Sequence, residues 1–233
     1  MKDSGRYFWT WVLALGLALA MVLGQAYKSS AEEKRMLIDD FETGKIINRA
    51  EGKSNVYFHP PSRVMVTTGN DTINGKPTKV LTIKYDKKNA GGPDGYGGWC
   101  GYYTILKCAY PGVCLLQGTT PVEKDEIVYL NASNYKSLTF WVKGDKGGES
   151  FKVGLADAHW DQIGDTVKSE AIGKYIPEGK LTTNWQKATI PLAEFFLDID
   201  KLASVSIGFE SECFPTGCGQ GTVYIDDIAF EAD

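Results

Sequence analysis

The sequence predicts an all-β fold, an antiparallel sandwich of two sheets. Three observations carry the prediction. Short runs alternate apolar and polar residues with a period of two from Met36 onward. Gly, Asn and Pro bound those runs where turns belong. No long helical periodicity follows the first 31 residues.

The N-terminal segment is read first. Lys2 and Arg6 precede an apolar run from Tyr7 to Gly24, broken only by Thr10, and small-residue patterns follow at Ala26 and Ala31. This is the pattern of an export signal. The run is also long enough to span a bilayer as a helix. Residues 1–31 are therefore either a cleaved signal peptide or a retained signal anchor. Both place the remainder outside the cytoplasm: periplasmic, on the cell surface or secreted. Glu32 to Arg35 is a short charged tether, and residues 32–233 are about one domain long.

Within that domain each strand is justified by its alternation. VLTIKY (Val80–Tyr85) and WQKATIPL (Trp185–Leu192) are strand-like. LTFWVKG places Leu138, Phe140 and Val142 on one face and Thr139, Trp141 and Lys143 on the other. FKVGLAD turns Phe151, Val153 and Leu155 inward, and SVSIGFE does the same with Val205, Ile207 and Phe209. TTGNDTINGKPT (Thr67–Thr78) reads as a polar turn, and NAGGPDGYGGWCGYY (Asn89–Tyr103) and LADAHWDQIGD (Leu155–Asp165) as loops. AEFFLDIDKL (Ala193–Leu202) has room for one helical turn.

Two stretches carry a physical conflict. LIDDFE (Leu37–Glu42) and YIDDIAFE (Tyr224–Glu231) each set an Asp pair inside an apolar strand. Desolvating a carboxylate is costly unless it is paired or metal-bound. By simple alternation Asp226 shares a face with Tyr224, Ile228 and Phe230.

Charge and cysteines narrow the function classes. A formal net charge of −4 gives no strong electrostatic case for nucleic acid, which usually needs a basic face. Five cysteines in an exported domain suit disulfides. Cys213 and Cys218 flank FPTG, and Cys108 and Cys114 flank AYPGV; a disulfide would close either loop, leaving Cys100 odd. Connectivity stays open at this level. The cysteines lack metal-site spacing, and only His59 and His159 are available beside them. There is no G-x-S-x-G elbow and no convincing acid pair on one strand face, so catalysis is not expected. Glu123 to Glu126 reads as a solvated charge run.

Taken in order, IDDFE, GYGGW, NASNYKSLTFWVKGDKGGE, FKVGLAD, LTTNWQKATIPLAEF, VSIGFE and TVYIDDIAFE resemble the galactose-binding-domain-like jelly rolls. The likeness is greatest to the family 11-like carbohydrate-binding modules, and it covers about Leu37 to Glu231. The resemblance implies a jelly roll whose first and last strands are tied by a structural Ca²⁺. Asp40 and Glu42 would meet Asp226 or Asp227 there, with Glu42 and Asp226 favoured; calcium takes several oxygens at about 2.3–2.6 Å. It also implies polysaccharide binding by aromatic planes and hydrogen-bonding side chains. Trp99, Tyr102, Tyr103, Trp141 and Trp160 are the candidate planes, with Asp157 and His159 beside them. Filling of the core is the competing role, above all for Trp141. The function expected is non-catalytic glycan binding. The alternative is a structural or protein-interaction module of the envelope, which an exposed Cys100 would favour.

Overall fold

A computed structural model describes residues 34–45, 47–49, 52–90, 97–109 and 127–232. The N-terminal apolar run, the 123–126 charge run and Cys114, with its expected bond to Cys108, lie outside them.

The strands are β1 (Arg35–Asp39), β2 (Ser54–Phe58), β3 (Arg63–Ile73), β4 (Lys76–Lys87), β5 (Cys100–Ile105), β6 (Cys108–Ala109) and β7 (Ile127–Val128). They continue as β8 (Ser137–Gly144), β9 (Lys152–Asp157), β10 (Val167–Ala171), β11 (Gln186–Pro191), β12 (Leu202–Phe209) and β13 (Gly219–Glu231). One six-stranded sheet runs β11-β8-β13-β4-β3, with β1 pairing β13; a five-stranded sheet runs β10-β9-β12-β5-β2. All of these pairings are antiparallel. β6 and β7 form a separate two-stranded ribbon.

The predicted inward residues fill the space between the sheets. Leu138, Phe140, Val142, Val153, Leu155, Val205, Ile207 and Phe209 are all buried. Tyr85 stacks on Phe209 with centroids 3.8 Å apart, and Phe151 meets Phe209 edge-on at 6.0 Å. Burying one such ring stabilises by about 1.5–3 kcal/mol.

Three local expectations are corrected. The polar turn at 67–78 is a hairpin: Asn74 and Gly75 take φ 50° and 78°, and β3 and β4 pair right up to them. Two residues at positive φ twist the chain in the sense its strands require, so the polar residues stay in the ladder. The loop at 155–165 contains a helix, α1 (Ala158–Ile163), started by Asp157 as its cap and stopped by Gly164 at φ 79°. Cys213 and Cys218 are free thiols. Backbone turns close their loop instead, from Phe214 N to Ser211 O and Gly217 N to Phe214 O. The buried Lys87 ammonium pins it, donating to Ser211 Oγ at 2.6 Å and Gly217 O at 2.7 Å.

In β13, an interior strand of the six-stranded sheet, a bulge resolves part of the Asp-Asp conflict. The β13–β8 register shifts between Asp226 and Ala229, and Asp227 is left-handed at φ 63°. The extra residue flips the alternation. Val223, Ile225, Ile228 and Phe230 all join the core, while Asp226 turns with Tyr224 to the other side. This corrects the simple alternation, which puts Asp226 with Ile228 and Phe230.

Candidate functional site

The outer face of the five-stranded sheet is built from rows of cross-strand neighbours. One row runs Asn55, Tyr103, Ser206, Gly154, Lys168. A second runs Tyr57, Gly101, Gly208, Lys152. A third runs Ile105, Ser204, Ala156. Small residues therefore occupy the middle of three strands, and taller ones stand on either side. The result is a trough of about 1130 Å³.

Its floor is close-packed. A β-carbon on Gly154 would lie 2.4 Å from both Ser206 Oγ and Thr166 Oγ1, and one on Gly101 would lie 2.5 Å from the Tyr57 ring. Only glycine admits these approaches, so the floor stays low and Tyr57 leans across it. Tyr57, Trp99 and Tyr103 form an aromatic wall. Tyr57 and Tyr103 have centroids 6.5 Å apart, and Trp99 is braced by the His59 ring at 4.9 Å. The facing side is charged. Lys168 bridges Glu210 at 3.2 Å and Asp165 at 3.3 Å, and Lys107 pairs with Asp161 at 2.5 Å. These pairs hold carboxylate oxygens in place as acceptors for hydroxyl groups. A smaller cleft of about 670 Å³ lies by Met65, Lys84 and Gln220 of the other sheet and has no exposed aromatic wall.

The expected sugar-binding residues divide. Trp99 and Tyr103 line the trough. Tyr102 does not: it is 1% exposed and packs in the core, because neighbours in a strand face opposite ways. Trp141 is half-buried on the outer face of the other sheet, opposite Lys187 and Asp226. Asp157 is structural. Its Oδ1 accepts the His159 and Trp160 N–H groups and its Oδ2 accepts that of Asp198, all at 3.0 Å. Against the desolvation that burial imposes, these donors hold its carboxyl below the usual range. His159 and Trp160 sit on α1, whose Asp161 and Ile163 reach the trough. The sequence reading missed Tyr57, Lys168 and the small residues of the floor. Their signal was present, as Gly154 and Ala156 alternating with the inward Val153 and Leu155.

The expected calcium residues divide as well. Asp40 turns to Arg49 in a bidentate pair, and Asp227 pairs with Arg35 at 2.8 Å. Glu42 and Asp226 come together across one hydroxyl: Thr78 Oγ1 lies 2.7 Å from Glu42 Oε1 and 2.8 Å from Asp226 Oδ2. A hydroxyl has one proton and serves one of them. Glu42 also accepts the Lys79 N–H, which, with Thr78, keeps its carboxyl below the usual range. Asp226 is 4% exposed, its Oδ1 has no partner, and desolvation raises its pKa to about 7. The site thus calls for a proton or a cation at Asp226. Among the described residues, no three His, Cys, Asp or Glu side chains gather as a metal cluster.

The sandwich and its trough set the terms for comparison with known proteins. A model of the family described as Carbohydrate binding domain 30 matches residues 50–232. The chain belongs to that family. This domain is therefore a non-catalytic carbohydrate-binding module of the galactose-binding-like sandwich type. No curated protein matches it. Among solved structures it is similar to a family 11 carbohydrate-binding module from Clostridium thermocellum in complex with a β-1,3-1,4-mixed-linked tetrasaccharide. The two are 14% identical with a TM-score of 0.54, covering 85% of this chain and 95% of that one. It is also similar to the family 30 module of a cellulosomal cellulase from the same organism, at 19% identity and a TM-score of 0.53, covering 85% and 98%. At these identities the likeness is one of fold.

Proposed function

We propose that this carbohydrate-binding domain 30 module holds a single β-linked glucan chain in the trough over its five-stranded sheet. The observation that carries the reading is the asymmetry of that trough. A low floor of Ser206 and Gly154 lies between the Tyr103 ring on one side and Lys168 with its paired carboxylates on the other, and Tyr57 leans across it towards Glu210. A sugar ring has apolar faces and a rim of hydroxyls, and this arrangement offers a partner to each. The mixed-linked tetrasaccharide bound by the family 11 module supports the choice of glucan. The apolar N-terminal run supports export, with the module acting outside the cytoplasm.

Calcium belongs to the same proposal. Asp226 and Glu42 fit a hard cation in donor type, and the unpartnered Asp226 Oδ1 supports one there. When bound, the ion supplies the positive charge the pair lacks. Asp40 and Asp227 do not fit, since arginines already neutralise them. The protein-interaction alternative gains no support from Cys100. Its thiol is fully buried, and burial pushes its pKa up to about 12.

The test is calorimetric titration with mixed-linked β-glucan, with Tyr103→Ala and Trp99→Ala as variants. Each lost stacking plane is expected to weaken binding about tenfold, the equivalent of about 1.4 kcal/mol, with the melting temperature nearly unchanged. Full binding in both variants places the ligand elsewhere.

A further inference from the structure

The cleft of about 670 Å³ on the six-stranded sheet has basic walls. Ile83, Tyr85 and Val223 point into the core, so Lys84, Asp86 and Thr222 point out of the sheet. Arg63 and Met65 do the same on β3, because Val64 and Val66 pack against the core. Arg63 lies opposite Asp86, and Asp86 opposite Gln220. Met65 lies opposite Lys84, and Lys84 opposite Thr222. The turn after β8 closes the far side with Asp145 and Lys146, held by the Asp145 N–H on Thr222 O at 3.0 Å.

Three cations of this cleft have no anion. Among the described residues, Arg35 and Arg49 are each paired with a carboxylate, whereas Arg63, Lys84 and Lys146 make no ion pair. The carboxylate opposite Arg63 is engaged elsewhere, since Asp86 takes Lys88 at 2.7 Å. Asp145 Oδ1 accepts the Tyr224 O–H at 3.3 Å. The three cations are exposed and repel one another, and an anion held between them removes that repulsion.

Their spacing selects the kind of anion. Arg63 stands on β3, Lys84 on β4 and Lys146 just beyond β8, so the group crosses three strand spacings, about 14 Å. One phosphate or carboxylate cannot meet all three, whereas a chain with repeated charges can. A nucleic acid strand needs aromatic planes for its bases, and the one ring lining the cleft, Tyr85, is 3% exposed. Sugar hydroxyls find partners in Gln220, Thr222 and the two Asp carboxylates, and the 58% exposed Met65 offers a ring an apolar surface.

We propose that this cleft is a second glycan site, for an acidic polysaccharide whose uronate carboxylates sit on Arg63, Lys84 and Lys146. It shares no residue with the trough and lies on the other sheet. One module can therefore hold a neutral chain on one sheet and an acidic chain on the other.

The experiment is calorimetric titration of the protein at low salt with polygalacturonate, its methyl ester, poly-L-glutamate and mixed-linked β-glucan. The variants are Arg63→Gln, Lys84→Gln, Lys146→Gln and all three together, each expected to melt like wild type because the side chains are exposed. Polygalacturonate should bind, less tightly as salt rises. Each single variant should weaken it about two- to fivefold, the range of one exposed ion pair, and the triple variant should abolish it. The methyl ester should not bind. β-Glucan affinity should be the same in all four variants, and Tyr103→Ala should leave polygalacturonate affinity unchanged. A wild type that ignores polygalacturonate, or a triple variant that binds it fully, overturns the inference. Poly-L-glutamate bound as tightly as polygalacturonate overturns the glycan as occupant. Loss of β-glucan binding alone would count against the trough reading and leave this site standing.

Discussion

Replacing Asp226 with Asn removes the charge that the Thr78 site cannot balance. The magnitude follows from the carboxyl's surroundings. Desolvation raises its pKa from 3.8 to about 7. At about 1.36 kcal/mol per pH unit that rise corresponds to about 4 kcal/mol of destabilisation once the group is ionised. Relaxation and water entry reduce this, so about 2 kcal/mol is the expected gain for Asp226→Asn without calcium. The sign is fixed by linkage. A carboxyl whose pKa is raised by folding imposes no penalty below its unfolded value of 3.8. The penalty grows as pH rises towards about 7 and is constant above. Asp39, buried and raised to about 6 chiefly by desolvation, adds to the same slope. Thermal melts in chelator should therefore show Asp226→Asn about 4–8 °C above wild type at pH 8, with the gap closing near pH 4. Added calcium should raise the wild-type melting temperature and leave the variant unmoved. A variant less stable than wild type at pH 8 in chelator would refute the reasoning, because it would mean that the native carboxylate is charged and well paired. An equal calcium response in both would remove the ion from Asp226.

Two further changes probe what holds the trough in shape. Asp157→Ala leaves the N–H groups of His159, Trp160 and Asp198 without their acceptor; it should cost about 2–3 kcal/mol in denaturant unfolding and weaken glucan binding. Lys87→Met removes the donor that pins Gly217 O and Ser211 Oγ. Stability should fall by about 2 kcal/mol, and amide exchange should quicken across 211–218 but not in β12.

The inward strand residues were legible because a strand's side chains alternate and one side must leave water. That rule is local, and it named the cores of β8, β9 and β12 without a structure. It failed where two adjacent residues of one kind had to be told apart. Tyr102 and Tyr103 are the same letter, yet one fills the core and the other walls the trough. Phe195 and Phe196 divide too, one buried and the other exposed. The bulge at Asp227 defeated the alternation outright, since nothing in YIDDIAFE marks which Asp carries the extra residue.

By itself, then, the sequence determined the all-β class, the core strands β8, β9 and β12, and the family the motifs resemble. These depend on period, propensity and backbone freedom, which act over a few residues. Only the tertiary structure decided where the trough lies. Tyr103, Ser206, Gly154 and Lys168 are scattered over more than 100 positions and become one row because β5, β12, β9 and β10 are hydrogen-bonded neighbours. Strand order and register are set by long-range packing, and a surface depression exists only after unlike strands are laid side by side. The same holds for Thr78, whose single proton lies between two carboxylates drawn from opposite ends of the chain.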